Sequence, residues 1–312
     1  MKAVQIHQYG EPTVLKLEEM PPPEPAPGEV LVRVRAAGVN PIDVKTRSGA
    51  GLAGRYGIDR FPFILGWDIS GVVEKISSGV TGFEVGDEVY GMPRFPDLAA
   101  AYAEYVTAPA TELAHKPVSI DHIQAAALPL VSLTAWQALF EEVVLEAGQK
   151  ILVHAAAGGV GHIAVQLAKW KGGFVTGTGS GRNAEFLAEI GIDQFIDYET
   201  DRFEDGLSDM DVVLDTLSGD VRERSWRVLK PGGVIVSIVG PPSAETAAKY
   251  GVRAANILVR PDGKQLTQIT ALVDKGKLKP NIDAVYPLAE TAQAHMYVAN
   301  GHTRGKVVLR MD

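Results

Sequence analysis

The sequence lacks cysteine altogether: none of its 312 residues carries a thiol. This absence excludes disulfide bonds, thiolate nucleophiles and every cysteine-ligated metal site. The seven histidines are scattered along the chain and form no HExxH motif or comparable ligand spacing. We therefore expect no metal ion in the chemistry of this protein.

An excess of positive charge and a long hydrophobic run are also missing. The chain has 30 Lys and Arg residues against 38 Asp and Glu residues, and no dense basic run. We expect no nucleic-acid partner, although the composition allows a local basic pocket. The longest apolar run, residues 125–140, contains Pro129 and is shorter than a membrane-spanning helix. Residues 1–6 turn polar too early for a secretory signal, so we predict a cytoplasmic protein without a membrane partner.

The pattern of what is present changes along the chain. Roughly the first 120 residues are β-rich, with short apolar runs at 30–34, 71–75 and 88–90 separated by Pro and Gly. Further on, helical patterns alternate with strand-like runs. The helices are predicted at 124–140 and 161–171, and the strands at 151–154, 174–177, 211–214 and 233–238. This alternation predicts an α/β fold with a doubly wound parallel sheet. A last strand at 305–309 is expected to return to the first domain.

The most informative segment is the strand–turn–helix pattern at residues 151–161, ILVHAAAGGVG. Ala156-x-Gly158-x-x-Gly161 matches the dinucleotide-binding fingerprint with Ala in its first position. Small residues let backbone amides approach a pyrophosphate, and the following helix N-terminus favours negative charge. A tight loop is the alternative interpretation, but the strand before it and the helix after it favour a dinucleotide site. The residues predicted to bind the pyrophosphate are Ala157, Gly158, Gly159, Val160 and Gly161.

The end of the next strand indicates which dinucleotide binds. Gly179 stands where a NAD-specific protein usually has an acid for the ribose 2′-hydroxyl, and Ser180 and Arg182 follow it. These two side chains are suited to a 2′-phosphate, which favours NADPH, although a solvated loop would look the same. Tyr198 is expected either to pack against the adenosine or to be a half-buried strand aromatic.

Several motifs together make the chain resemble a known superfamily. They are residues 37–43 (AGVNPID), 65–71 (LGWDISG), 133–136 (LTAW), 155–161 and 305–308 (GKVV). The chain resembles the medium-chain dehydrogenase/reductase superfamily, and within it the zinc-free quinone oxidoreductase branch with ζ-crystallin-like proteins and enone reductases. Asn40-Pro41 and Gly66-Trp67-Asp68 stand where zinc alcohol dehydrogenases carry a cysteine and a Gly-His-Glu motif. Zinc-dependent alcohol oxidation is therefore excluded.

The resemblance also implies a domain organisation. A GroES-like, β-rich partial barrel would comprise residues 1–123 and 265–312, and a Rossmann domain residues 124–264. Members of this branch usually form homodimers, often through the sheet edge that residues 251–258 would match. The further residues that match cofactor-lining positions of the family are Thr134, Val239, Gly240, Val259 and Lys306. The alternatives are a back-bonded helix hydroxyl for Thr134 and a solvated lysine for Lys306.

Catalysis without a metal needs a group that polarises the acceptor oxygen as negative charge develops there. Asn40 matches an asparagine that lines the cleft in the family, and its amide is predicted to donate to that oxygen or to cap a turn before Pro41. Lys45 is a second candidate, with Asp43 holding it in place, unless the two form a surface ion pair. Asp68 is expected to order Lys45 or a nearby main chain.

Three aromatic residues are further candidates. Trp67 is expected to wall the pocket or to join the core, and Tyr56 and Phe61 flank a glycine-rich stretch that would form a lip or pack locally. The sequence thus predicts a metal-independent NADPH-dependent reductase of a quinone or an α,β-unsaturated carbonyl. The alternatives are a narrower enoyl-type reductase and an NADPH-binding structural or regulatory ζ-crystallin-like protein with little turnover.

Overall fold

The computed structural model describes residues 1–56 and 60–311, and their strands form three sheets. The side chain of Tyr56 lies outside the described part. The chain divides into unit 1, Met1–Leu133 with Arg260–Asp312, and unit 2, Thr134–Val259. The junctions expected from the sequence, 123/124 and 264/265, differ from these. The helix at His122–Ala126 packs on strands of unit 1 and so belongs to that unit.

Unit 1 is built on two mixed or antiparallel sheets. The smaller has the order β2-β1-β4, and the larger has the order β15-β16-β3-β5-β6-β8, with β7 also pairing with β3. The strands are β1 (Lys2–Ile6), β2 (Lys16–Glu19), β3 (Glu29–Val39), β4 (Phe63–Ile64), β5 (Ile69–Ile76), β6 (Glu88–Gly91), β7 (Tyr105–Pro109), β8 (Leu113–His115), β15 (Ile282–Pro287) and β16 (Lys306–Arg310).

The long strand β3 organises the core of unit 1. Val30, Val32 and Val34 are buried in a hydrophobic cluster of unit 1, whereas Arg35 is exposed. Strand β16 runs antiparallel to β3 and parallel to β15, so it lies between them. Val307 is paired with Val39, and this register brings the start of β16 beside the end of β3. The predicted return of the C-terminal strand to the first domain is confirmed.

Most helices of unit 1 are short. They are α1 (Pro41–Arg47), α2 (Leu52–Tyr56), α3 (His122–Ala126), α4 (Pro129–Trp136), which runs across the unit boundary, α10 (Gly263–Asp274) and α11 (Thr291–Ala299). The prediction of one helix over 124–140 is wrong. Pro129 starts a new helix because its ring lacks the N–H that a continuous helix would need, and a π-helical turn, Gln137–Glu142, follows α4.

Unit 2 contains a fully parallel six-stranded sheet with the order β11-β10-β9-β12-β13-β14. Its strands are β9 (Lys150–Val153), β10 (Phe174–Gly179), β11 (Gln194–Asp197), β12 (Met210–Asp215), β13 (Leu229–Ser237) and β14 (Arg253–Asn256). Its helices are α5 (Gly159–Trp170), α6 (Ala184–Glu189), α7 (Phe203–Gly206), α8 (Gly219–Ser225) and α9 (Ala244–Tyr250). This strand order is that of a doubly wound Rossmann sheet, which confirms the predicted fold class. Among the described residues, no helix is both long and apolar enough to cross a membrane.

Candidate functional site

The glycine-rich turn lies at the carboxyl edge of the parallel sheet, between β9 and α5. Gly158 is the N-cap of α5 and Gly159 is its first residue. A Cβ atom at Gly161 would overlap the carbonyl oxygen of Ala155, so glycine is needed there for the helix to start this close to the strand. The first N–H groups of a helix have no partner within it, and here they stand at the turn. This geometry fits a pyrophosphate.

The alanine in the first position of the fingerprint is explained by the neighbouring strand β10. The Ala156 N–H donates a hydrogen bond to the Thr178 carbonyl at 2.9 Å, which ties the turn to β10. A Cβ atom at Gly177 would lie 2.7 Å from the Cβ of Ala156. The methyl group of Ala156 therefore fills space that Gly177 leaves open.

The predicted 2′-phosphate residues lie one strand away from the turn. Ser180 directly follows β10 and is 8% exposed, whereas Arg182 is exposed. The Ser180 hydroxyl donates to the Glu199 carboxylate at 2.8 Å. Tyr198 is 55% exposed at the end of β11. Sequence reasoning missed Glu199, whose only signal was that it follows a strand adjacent to β10.

The remaining predicted cofactor residues of unit 2 are more dispersed. Val239 is exposed and Gly240 is half-buried, and both follow β13 at the edge of the sheet that carries the glycine-rich turn. Thr134 and Val259 are buried and are the first and last residues of unit 2. The geometry of unit 2 thus groups the turn, Ser180, Val239 and Gly240 along one edge.

A buried polar cluster in unit 1 contains three of the predicted residues. The Asn40 amide nitrogen donates to Asp68 at 2.9 Å, and the Lys306 ammonium donates to the Asn40 amide oxygen and, at 3.1 Å, to the Val39 carbonyl. The Lys306 nitrogen is 3.5 Å from Asp68, whose other oxygen accepts the Leu130 N–H at 2.7 Å. Lys306 is thus a buried partner of Asn40 and Asp68 and not a solvated lysine.

The predicted pairing of Lys45 with Asp43 is wrong, whereas Asp68 binds a nearby main chain, the Leu130 N–H, which was one of its two predicted roles. Asp43 is fully buried and accepts hydrogen bonds from the Asn40 N–H at 2.6 Å and the Tyr102 hydroxyl at 2.9 Å. Lys45 lies on the exposed side of α1. Residues two apart on a helix do not face each other, so Lys45 is not directed toward the buried Asp43. Of the four predicted catalytic side chains, only that of Lys45 is exposed.

Burial controls the protonation of this cluster. It raises the pKa of Asp43 to about 7, although the hydrogen bonds from the Asn40 N–H and Tyr102 act in the opposite direction. Burial also raises the pKa of Asp68 against the attraction of Lys306, and it lowers the pKa of Lys306 against the attraction of Asp68. The carboxyl group of Asp43, in the first turn of α1, therefore changes its protonation near neutral pH.

Two further functional candidates, Asp215 and Arg222, were missed by sequence reasoning. Asp215 ends β12 at the carboxyl edge of the sheet and is fully buried, and its oxygen accepts from Arg222 Nε at 2.6 Å. Burial raises the pKa of Asp215, but the Ser218 N–H and Arg222 hydrogen bonds outweigh it and hold the pKa below its usual value. The sequence feature that could have identified Asp215 is an acidic residue at the end of a buried apolar strand.

The other aromatic candidates pack locally within unit 1. Trp67 is fully buried, donates its indole N–H to the Asp97 carbonyl at 2.7 Å and contacts the edge of Phe95. Phe61 packs against Tyr9 with a ring-centroid distance of 4.9 Å. Trp67 is thus a core residue and Phe61 packs locally, which in each case is the second of the two roles that the sequence allowed.

The two histidines beside the turn are structural. His154 is buried between the hydroxyls of Thr178 and Ser225, at 3.1 and 2.8 Å, and burial lowers its pKa to about 4. His162 is buried in α5, and its Nδ1 lies 2.9 Å from the Gly158 carbonyl. Within residues 1–56 and 60–311, no group of three or more His, Asp or Glu side chains is placed to hold a metal ion.

Two family descriptions match separate parts of the chain. Residues 26–118 match the alcohol dehydrogenase GroES-like domain, and residues 190–309 match the zinc-binding dehydrogenase family. The first range lies within unit 1, and the second spans the last part of unit 2 and the C-terminal part of unit 1.

Similar proteins cover the whole chain. It is 33% identical to a mitochondrial NAD(P)H oxidoreductase of Mus musculus, over 100% of this chain and 89% of the relative. It is 35% identical to a chloroplastic NADPH-dependent alkenal/one oxidoreductase of Arabidopsis thaliana, over 99% of this chain and 79% of the relative. The solved structure of the quinone oxidoreductase from Coxiella burnetii matches with a TM-score of 0.94 and 39% identity, covering 100% of this chain and 99% of that one.

Proposed function

Because the chain belongs to the zinc-free quinone oxidoreductase branch of the medium-chain dehydrogenase/reductase superfamily, we propose that it is an NADPH-dependent oxidoreductase that reduces a quinone or an α,β-unsaturated carbonyl without a metal. One observation carries the proposal. The Ala156-x-Gly158-x-x-Gly161 turn stands at the carboxyl edge of a six-stranded parallel sheet, with a helix starting directly behind it.

The cofactor site follows from this edge. We assign the pyrophosphate to the backbone of residues 157–161, the 2′-phosphate to Ser180 and Arg182, and the adenosine to Tyr198. The nicotinamide half is assigned to Val239 and Gly240, with Thr134 and Val259 as further lining residues. When bound, NADPH supplies the hydride. The chain itself positions the cofactor and the acceptor and stabilises the charge that develops on the acceptor oxygen.

Lys45 is the proposed catalytic residue of unit 1, because it is the predicted cationic donor whose side chain is exposed. Its helix α1 starts at Pro41 and is held at its first turn by the Asn40–Asp43 hydrogen bond. Asn40, Asp43, Asp68 and Lys306 act in this proposal as positioning residues, since they are buried and bind one another. This replaces the role that the sequence suggested for Asn40, a direct hydrogen bond to the acceptor oxygen.

The proposal includes a homodimer and a cytoplasmic location. Strand β14 is an edge of the parallel sheet, and it covers part of the segment 251–258 through which the resemblance implies dimerisation. The relative from Mus musculus is named as mitochondrial and the relative from Arabidopsis thaliana as chloroplastic. These two locations are stated for the relatives and differ from the one proposed for this chain.

The test is to follow NADPH absorbance with a panel of quinones, alkenals and enones. We expect consumption with at least one class of acceptor, and a lower kcat for Lys45→Ala with little change in NADPH affinity. Lys171→Ala, an exposed lysine in unit 2, is the matched control. Tight NADPH binding with no consumption by any acceptor would reject the enzyme and favour the NADPH-binding structural or regulatory protein.

A further inference from the structure

One arginine side chain joins two loops at the carboxyl edge of the parallel sheet. Arg222 in α8 donates from Nε to Asp215 at 2.6 Å and from Nη2 to the Ser237 hydroxyl at 2.8 Å. It also donates to the Gly240 carbonyl at 2.9 Å and the Pro241 carbonyl at 3.1 Å. Its side chain is only 11% exposed. One planar guanidinium group therefore binds four acceptors. Two are side chains at the ends of β12 and β13, and two are backbone carbonyls in the loop after β13.

The acceptors are themselves bound to the backbone of the loops. Asp215 accepts the N–H groups of Leu217 and Ser218, at 3.1 and 2.8 Å, which fixes the loop after β12. The Ser237 hydroxyl accepts the Val239 N–H at 3.2 Å, in the loop after β13. Arg222 thus binds one side chain from each strand end and, in addition, the backbone of the second loop.

The backbone at Ser218, in the first of these loops, needs such support. Ser218 has a φ of 62° although it is not glycine, and Gly240 has a φ of 123°. A non-glycine residue at positive φ is held there only by the surrounding structure, at a cost of about 1–3 kcal/mol. Without the guanidinium group, we expect the loop at Ser218 to relax toward a more common backbone conformation, and the Gly240 and Pro241 carbonyls lose their donor.

We propose that Arg222 is a positioning residue that holds the loops after β12 and β13 in the form that receives the nicotinamide half of NADPH. This rests on the proposed function, which places Val239 and Gly240 at that half. The adenosine half is assigned to the end of β10, and β9 and β12 lie between β10 and β13. Adjacent strands are about 4.8 Å apart, so the two halves are bound more than 10 Å from each other.

The experiment compares two ligands by calorimetry: NADPH, and 2′,5′-ADP, which has only the adenosine half. We expect Arg222→Gln to weaken NADPH binding by roughly tenfold and 2′,5′-ADP binding by less than about twofold. Arg222→Lys keeps a cation beside Asp215 and should fall between the wild type and Arg222→Gln. Hydrogen exchange of the amides at 217–218 and 239 should become faster in Arg222→Gln.

The matched control is Arg224→Gln on the same helix. Arg224 pairs with Glu204 and Asp220, so its loss removes ion pairs of α8 without touching the loops. A merely structural role would change both ligand affinities together or would make the two glutamine variants alike. Either result would overturn the proposal.

If Arg222→Gln does not fold, Ser237→Ala removes one acceptor of the guanidinium and the partner of the Val239 N–H. An unchanged ratio of the two affinities in that variant would overturn the proposal, as would a wild type that binds NADPH no better than 2′,5′-ADP. A wild type that binds NADPH and reduces no acceptor rejects the proposed function alone, because the affinity ratio still tests the role of Arg222.

Discussion

At the scale of single residues, Glu199 modifies the cofactor preference expected from Ser180 and Arg182. Its carboxylate accepts the Ser180 hydroxyl at the place proposed for the 2′-phosphate. A carboxylate there repels a phosphate and accepts a ribose 2′-hydroxyl, so it favours NADH. We expect Glu199→Gln to raise the NADPH affinity relative to NADH, and Arg182→Ala to lower it, by roughly three- to tenfold each in fluorescence titrations. Equal changes for both cofactors would reject the 2′-phosphate assignment.

A second residue, Asp43, predicts a dependence of stability on pH. Its pKa is about 7 in the folded protein against 3.8 for a free side chain. Folding then stabilises the protonated form, and this contribution is complete below about pH 4 and is lost as the pH rises through 7. The quantity to compare is the free energy of unfolding of Asp43→Asn minus that of the wild type. We expect this difference to be about 2 kcal/mol more favourable to the variant at pH 8.5 than at pH 5.5, because only the wild type loses the contribution of Asp43. Urea unfolding at the two pH values measures this difference.

The control for Asp43→Asn is Asp201→Asn, which changes an exposed carboxyl group. Its difference from the wild type should stay constant over the same pH range. A constant difference for Asp43→Asn as well would show that Asp43 is ionised throughout, and would contradict the role of burial.

The partners of these residues show what a sequence pattern cannot provide. Asn40 and Asp68 were identified because their short motifs match the family, and Asp43 because it stands two residues before Lys45. The partner of Asp43 was predicted to be Lys45, the nearest cation in sequence, but it is Tyr102, 59 residues away. Asp68 is paired with Lys306, 238 residues away. Such pairs are determined by strand register, which no local pattern specifies.

At the scale of elements, the glycine-rich turn and strand β10 are complementary in volume. We expect Gly177→Ala to destabilise the protein by about 1–3 kcal/mol, because its Cβ would lie 2.7 Å from that of Ala156 and 2.5 Å from Ile192 Cδ1. The double variant Ala156→Gly/Gly177→Ala should recover part of this loss in thermal unfolding. A double variant as unstable as the sum of the single variants would show that the two positions do not interact.

The success of element prediction also depended on local chemistry. In unit 2, the predicted strands and the helix after the turn are confirmed, because buried parallel strands are short continuous apolar runs and the glycine-rich turn marks where α5 starts. The prediction of one helix over 124–140 failed since the apolar pattern continues through Pro129 while the backbone does not. The π-helical turn at Gln137–Glu142 has no composition of its own that would announce it.

At the scale of the whole molecule, Lys306 ties the C-terminal strand β16 to the rest of unit 1. We expect Lys306→Met to lower the free energy of unfolding by about 3–5 kcal/mol at pH 8, because it leaves Asp68 buried without its cation. Chemical denaturation measures the loss. Lys275→Met, an exposed lysine of the same unit, should stay within about 0.5 kcal/mol of the wild type. A similar small effect for Lys306→Met would mean that Asp68 is protonated and needs no partner.

The position of β16 has a consequence for how the chain is made. This strand lies between β15 and β3, yet the ribosome synthesises it after the whole of unit 2. Until it emerges from the exit tunnel, β3 has an open edge and the carboxylate of Asp68 lacks its ammonium partner. Unit 2 is a contiguous segment, so it is free to fold during translation, while unit 1 must wait. During synthesis, the nascent first unit is therefore the part of this protein that exposes an unpaired strand edge for the longest time.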